Sequence, residues 1–254
     1  FTGDLSGGLF SGHKTWQSGI YVNGAASTVN ILNNTFENCR TGINLDDFNA
    51  GISLVGNTFD NNGTHLSFGG TVPTTGSYVL GANDFKIPGD AFVNLSNVAT
   101  TFRLDITSST FIGTSFSALP LATLYGIEAG MYHRGRSGKN GLVTYVANNQ
   151  YVITLNPSIQ AAVDYGNPGH IINVANVTTP VPIASYPVPA GGIDITKSLT
   201  IQGAGCGNTI VDGGGTALNG FKIESGITDV TIRDLTVQNT NGGSNDAGIR
   251  ALTN

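Results

Sequence analysis

Residues 19–64 alternate apolar and polar positions in short runs, and the whole pattern returns after 23 residues. The two copies read GIYVNGAASTVNILNNTFENCRT and GINLDDFNAGISLVGNTFDNNGT. Gly19-Ile20 returns as Gly42-Ile43, Val22 as Leu45, and Val29 and Ile31 as Ile52 and Leu54. Asn34-Thr35-Phe36 returns as Asn57-Thr58-Phe59, and Asn38 as Asn61. Runs of three to five alternating residues bounded by Gly and Asn have the period of strands broken by turns, with no room for a helix. A fixed repeat of this length means one structural unit stacked on its own copy. Short strands, tight corners and inward side chains meeting their equivalents about 4.8 Å above and below fit one turn of a three-sided parallel coil.

The corner asparagines have a mechanism. Asn tolerates left-handed backbone and bonds locally, and equivalent amides at Asn34 and Asn57 can bond to each other up the stack. Phe36 and Phe59 are expected to stack inside in the same way, and Phe85 and Phe111 continue that row at further offsets of 26. The lines NNTFENCRTGI and GNTFDNNGT resemble repeats of right-handed parallel β-helices of the pectate-lyase-like superfamily. That resemblance implies an all-β fold, a three-sided solenoid with coils of about 23–28 residues and one short capping α-helix. It says little about activity, because the same coil carries lyases, hydrolases, phage tailspikes and adhesins.

Three segments follow from the pattern. Residues 1–118 are expected to form the C-terminal coils of one β-helix, irregular and Gly-rich over 1–18 and looser after Gly69-Gly70. Residues 119–155 lose the Asn-Thr-Phe signature and read as a connector, with strands at Leu142–Val146 and Tyr151–Leu155 around an Ala-Asn-Asn-Gln turn. Residues 156–254 are expected to form the helix-capped N-terminal coils of a second β-helix. Its helix is NPSIQAAVDYG (156–166): Pro157 suits the first turn, Ile159, Ala162 and Val163 share a face, and Gly166 ends it. The helix, HIINV, the Pro-rich loop and IDITKSLTIQGAG together resemble the opening of a β-helix domain, where a short helix plugs the first coil. The order, one helix ending and another beginning with both termini in mid-coil, suggests an excerpt from a longer chain of tandem modules.

Composition agrees. Gly is abundant at 36 residues, charge sparse at 11%, and the net charge of −5 opposes nucleic acid and anionic membrane surfaces as partners. No apolar run reaches the 18 or so residues of a membrane span, and no signal peptide is apparent. Cys39 and Cys206 lack metal-ligand spacing. Both are expected free, the alternative being a disulfide across two candidate domains.

The search for chemistry assembles no constellation. Asp46-Asp47 is the one adjacent acidic pair, but Asn23-Gly24 and Gly69-Gly70 hold the matching places in neighbouring coils, so it reads as a corner that caps turn amides. Asp212 and Asp229 look like similar turn residues. His133, Arg134, Arg136 and Lys139 form the basic cluster, read as a solvated loop or a contact to another module, with binding of an acidic polysaccharide as the alternative. His13, His65 and His170 are scattered, and His65 falls where the preceding coil has Gly42. The expectation is therefore a chain with no catalytic, cofactor-binding or metal-ligating residues and no cofactor. The function expected is a non-catalytic structural or adhesive segment of a large extracellular protein, resembling modules of giant bacterial surface adhesins and filaments. Self-association would make a rod or filament, with cell-surface glycans as further partners through the outward loops 70–76, 133–139 and 178–191. The competing expectation is an enzyme acting on acidic glycans.

Overall fold

The structure, a computed structural model, describes residues 18–24, 29–48, 51–70, 77–96, 98–153, 158–178, 183–241, 243 and 247–252. They fall into two compact units, residues 1–147 and 148–254, so the division lies inside the segment expected to connect two coil stacks. In each unit short, mostly parallel strands wind into a three-sided coil, with three sheets in the second unit and four in the first, where one side is split.

In the first unit, one side is the row Ser18–Asn23, Thr41–Asp46, Thr64–Gly69, Ala91–Leu95 and Met131–Tyr132. Its register keeps inward residues in columns: Ile20, Ile43, Leu66, Val93 and Met131 in one, Val22, Leu45, Phe68 and Leu95 in the next. A third side stacks Thr35–Glu37, Thr58–Asp60, Asp84–Phe85 and Thr110–Phe111. The remaining side is broken. Val29–Leu32 pairs with Ile52–Val55, and Ser77–Val79, Arg103–Asp105 and Leu142–Thr144 form a separate sheet. At the break the Tyr78 hydroxyl donates to the Ile52 carbonyl, so a side chain meets a backbone acceptor between the two sheets. Its ring packs against Phe48, part of an aromatic group with Phe68 and Phe102.

The asparagine corner forms the ladder expected of it. The Asn34 N–H donates to Asn57 Oδ1 (3.0 Å), the Asn57 N–H to Asn83 Oδ1 (3.0 Å) and the Asn83 N–H to Ser109 Oγ (3.2 Å). Asn57 and Asn83 each donate in return to the Ile31 and Leu54 carbonyls (2.8 and 3.0 Å). A corner that turns its backbone inward thus keeps its polar groups satisfied without water. At the next corner Asn38 and Asn61 adopt left-handed backbone (φ 57° and 46°) and bond to each other at 2.6 Å.

Beside the amides the rings of Phe36, Phe59 and Phe85 stack nearly parallel, with centroids 5.3 and 5.2 Å apart. The fourth ring is not the expected one. Phe111 faces Phe85 in backbone register, yet its ring lies against Phe92, and Phe116 meets Phe85 at 6.4 Å. The cause is a tight hairpin: Ile112 and Gly113 both take positive φ (50° and 73°), and Thr114–Ser115 folds back antiparallel on Thr110–Phe111. That reversal brings Phe116 over the ring column and covers the sheet edge.

Beyond the hairpin comes a helix that the strand pattern does not predict. α1 (Leu121–Ala129) stands in the last coil of the first unit, so the expectation of a single α-helix is corrected to two among the described residues. LATLYGIEA has apolar residues all round, a central Gly126 and no side-chain cap, which hides it from a periodicity search. The chain then re-enters the sheets through Met131–Tyr132 and Leu142–Thr144. The insertion lengthens the coil, since Val93 now faces Met131. Coils in the second unit also exceed the expected 28 residues, as Thr200 faces Thr231.

The second unit stacks Asn149–Val152, Ile171–Val174, Thr200–Gln202 and Thr231–Arg233 on one side. Tyr186–Pro187, Ile210–Asp212 and Thr236–Gln238 form another, and Ile193–Ile195, Asn219–Ile223 and Ala247–Ala251 the third. The two strands expected around the Ala-Asn-Asn-Gln turn both exist, each in the sheet of its own unit: Leu142–Thr144 beside Arg103–Asp105, and Asn149–Val152 beside Ile171–Val174. α2 (Ile159–Tyr165) closes the first coil, as its sequence predicts. Ser158 Oγ accepts the Ala161 N–H (3.2 Å), and Ile159, Ala162 and Val163 join the core with Val152, Ile172 and Ile195. Pro157 lies outside the described residues.

Candidate functional site

The basic cluster read from the sequence does not form a solvated loop. His133 and Arg134 are each 1% exposed and Glu128 of α1 is 2% exposed, and together they make a polar centre sealed inside the last coil of the first unit. The sequence reading missed Glu128 and Tyr145. The spacing of Glu128 to His133 on either side of Gly130 was the one available signal, and it acquires meaning only once α1 is known.

The geometry sets the protonation states. His133 Nδ1 accepts the Val143 N–H (2.9 Å), so Nε2 carries the proton and donates to Glu128 Oε1 (2.9 Å). Arg134 donates to the same oxygen, and the Tyr145 hydroxyl donates to Oε2 (3.0 Å). Burial pushes the Glu128 carboxyl up, but the Arg134 charge and the hydrogen bonds from His133 and Tyr145 outweigh it and hold the group below its ordinary value. Burial pulls the His133 imidazole down, with Arg134 adding to that and Glu128 opposing it. Arg134 holds a positive φ of 53°, a backbone state uncommon for a non-glycine residue. The centre is thus an ion pair with its hydrogen bonds filled, and no face of it is open to a substrate.

The rest of the cluster lies outside this centre. Arg136 stacks over the Tyr132 ring (4.6 Å) and donates to the Glu128 and Ala129 carbonyls at the end of α1. Lys139 Nζ reaches Ser96 Oγ (3.2 Å). Within 133–139, Gly135 and Gly138 are exposed while Arg136 and Lys139 are half-buried. Of the other loops expected to face outward, residues 71–76 and 179–182 lie outside the described residues, and the rest of 178–191 is exposed or half-buried apart from the buried Tyr186.

His65, expected at a corner, points into the core among Phe59, Phe85 and Phe92. Its Nε2 donates to the Lys86 carbonyl (2.8 Å) and Nδ1 accepts from Asn62 Nδ2 (3.2 Å), a set that only the neutral ring satisfies. Burial pulls its pKa down to about 4, against the raising effects of the Lys86 carbonyl and Asp60. With a folded-state pKa below the 6.5 of a free imidazole, the contribution of His65 is complete above pH 6.5 and lost as pH falls towards 4. At about 1.4 kcal/mol per pKa unit this is a loss of about 3 kcal/mol. Urea unfolding followed by circular dichroism from pH 7 to 4 should show the midpoint falling across that window. His65→Leu should flatten the dependence, though the residual slope from His133 has the same sign.

The carboxylates expected at corners lie at corners. Asp46 is in register with Asn23 and Gly69, and it accepts the Tyr21 hydroxyl at 3.3 Å. Asp47 has φ 50°, and both carboxylates lie where a Cβ on Gly70 (φ 63°) would stand, so the next coil turns there on a residue without a side chain. Asp212 accepts from Gln238 Nε2 and the Gly214 N–H (both 2.8 Å) and from Asn239; the first two do most to lower its pKa. Asp229 is an exposed turn residue with φ 56°. His170 is buried beside Gln150, and His13 lies outside the described residues. Cys39 is buried, Cys206 exposed, and neither is in a disulfide. Among the described residues no group of three or more His, Cys, Asp or Glu is gathered for a metal ion. No helix among them is long and apolar enough to cross a membrane.

A groove opens on the first unit, with a volume of about 400 Å³ between α1 and the coil corner. Ile87, Phe92, Phe111 and Ile127 make it apolar, Gly126 and Gly130 keep it open, and Asp90, bonded to the Tyr132 hydroxyl (2.6 Å), stands on its rim. It offers no basic group to an acidic glycan.

These features define a right-handed parallel β-helix repeat protein. Residues 10–92 match the family model described as "Right handed beta helix region". No curated protein and no solved structure gives a match.

Proposed function

We propose that this chain is a non-catalytic structural or adhesive segment of an extracellular β-helical protein and serves as a stiff rod. The observation that carries the reading is where the reactive-looking groups lie. Glu128, His133 and Arg134 are sealed in the last coil and His65 in the core, and each satisfies its neighbours instead of facing a cleft. The asparagine and phenylalanine columns tie each coil to the next, which resists bending and tolerates length. Sparse charge with much Gly supports an extracellular setting, and the polar outer rungs suit contact with surface glycans or with other rods.

The test is incubation with a panel of acidic polysaccharides, measuring new reducing or unsaturated ends over time. No turnover is expected. Turnover that disappears in Asp46→Asn or Asp47→Asn would overturn the reading in favour of a glycan-active enzyme.

A further inference from the structure

The groove beside α1 is made by the two places where the last coil departs from its repeat. The hairpin at Ile112-Gly113 takes Phe111 out of the ring column and sets it edge-on against Phe92, 5.8 Å away. The inserted helix supplies another wall through Thr123, Gly126 and Ile127. Between them apolar surface stays uncovered: Phe111 is half-buried, and Ile87 on the same groove is 66% exposed. At about 400 Å³ the space has the size and the mostly apolar lining of a small-molecule site.

Gly126 points to a space that is kept open. A glycine inside a helix costs about 1 kcal/mol relative to alanine, and its usual reasons are absent here. Its φ lies outside the left-handed region, and a Cβ built on it would meet nothing within 4 Å. Gly130 differs, because a Cβ there would stand 2.8 Å from Phe92 Cδ2, so packing requires that glycine. At Gly126, exposed on the groove, the lack of a side chain has its effect on the groove that the residue lines.

Asp90 is the charged residue on that lining, and it is unpaired. Tyr132 donates to Asp90 Oδ1 (2.6 Å), and Arg136, over the Tyr132 ring, is held by the carbonyls that end α1. These contacts orient the carboxylate, while among the described residues Asp90 Oδ2 has neither a hydrogen-bond partner nor an ion pair.

We infer that the groove binds a small organic ammonium ion, its apolar body against Phe111 and Ile127 and its charge on Asp90. An anionic ligand would meet like charge at the rim, and a neutral one would leave the carboxylate without a counter-charge. A folded partner would need about 20–30 residues on this side, and ten line the groove. The site goes beyond the structural role proposed above and does not depend on it.

The experiment titrates the full chain calorimetrically, at neutral pH and low salt, with 2-phenylethylammonium and in parallel with 2-phenylethanol and phenylacetate. The ammonium should bind at one site with a Kd of about 1 mM or below. It should bind about three- to fivefold more tightly than the alcohol, a margin that salt reduces, with phenylacetate the weakest. Asp90→Asn, which keeps an acceptor for Tyr132, should erase the preference for the ammonium and leave the alcohol unchanged. Gly126→Leu should abolish binding of all three, with circular dichroism unchanged and the thermal midpoint equal or higher, since leucine is the better helix former. Undiminished ammonium binding in Gly126→Leu would overturn the inference. So would an alcohol bound as tightly as the ammonium, which marks a site for neutral ligands, or no saturable ammonium binding at about 10 mM.

Discussion

Phe59→Ala should cost the first unit about 3–5 kcal/mol, the range for truncating a buried aromatic, and should leave it unfolded or nearly so at moderate temperature. The ring is 0% exposed and stacks on both faces, against Phe36 at 5.3 Å and Phe85 at 5.2 Å. Its loss opens a void between two coils that cannot collapse, because strand hydrogen bonds on three sides hold the coil spacing. Two stacking contacts go as well, each worth about 0.5–1.5 kcal/mol beyond area. Thermal and urea unfolding would measure the effect. Phe116→Ala and Phe111→Ala form the control. Phe116 is fully buried above Phe85, and Phe111 is half-buried at the groove, so the first should cost clearly more. The reverse order would mean that Phe111, the residue the repeat nominates, is the fourth ring after all.

Glu128→Ala should be of similar size, about 3–5 kcal/mol, for an electrostatic reason. Removing the carboxylate leaves the Arg134 guanidinium buried without its counter-charge and strips an acceptor from His133 and Tyr145. The sign of a further change separates this account from simple packing. In Glu128→Leu combined with Arg134→Met no charge is left buried, and much of the lost stability should return. If the double variant were no better than Glu128→Ala, the ion pair would not be the source of the cost. Glu128→Gln should fall between, since the amide keeps an acceptor for His133 but not the charge facing Arg134. The Glu128 carboxyl is held below its ordinary value, so its contribution is present at neutral pH and is lost only as pH falls through that lowered value.

Both effects sit where the coil departs from its repeat or depends on it most. The Phe59 column follows from a repeat of 23 residues that any alignment of the chain with itself exposes. Among the described residues the Glu128 centre has no counterpart in the other coils. It exists because a helix is inserted between two strands of the last coil, and a helix carboxylate then meets two basic residues from the turn that follows.

Much of this architecture is legible in the sequence because a solenoid makes its contacts between residues one coil apart. Alternation set which side chains face inward, the recurrence of Asn34 at Asn57 and of Phe36 at Phe59 set the columns, and Ser158 to Gly166 carried an amphipathic helix with ordinary stops. Those features are local or periodic, so propensity and repeat express them directly. What only the tertiary structure decided is how the periodicity ends. The turn at Ile112-Gly113 sends Phe116 into the column in place of Phe111, and α1 forms from a stretch apolar on every side, whose stability comes from burial and not from a patterned face. Burial also turned His133 and Arg134 from apparent surface cations into a neutral imidazole and a paired guanidinium. A charge run looks solvated until something covers it, and the cover here is a helix that periodicity does not encode.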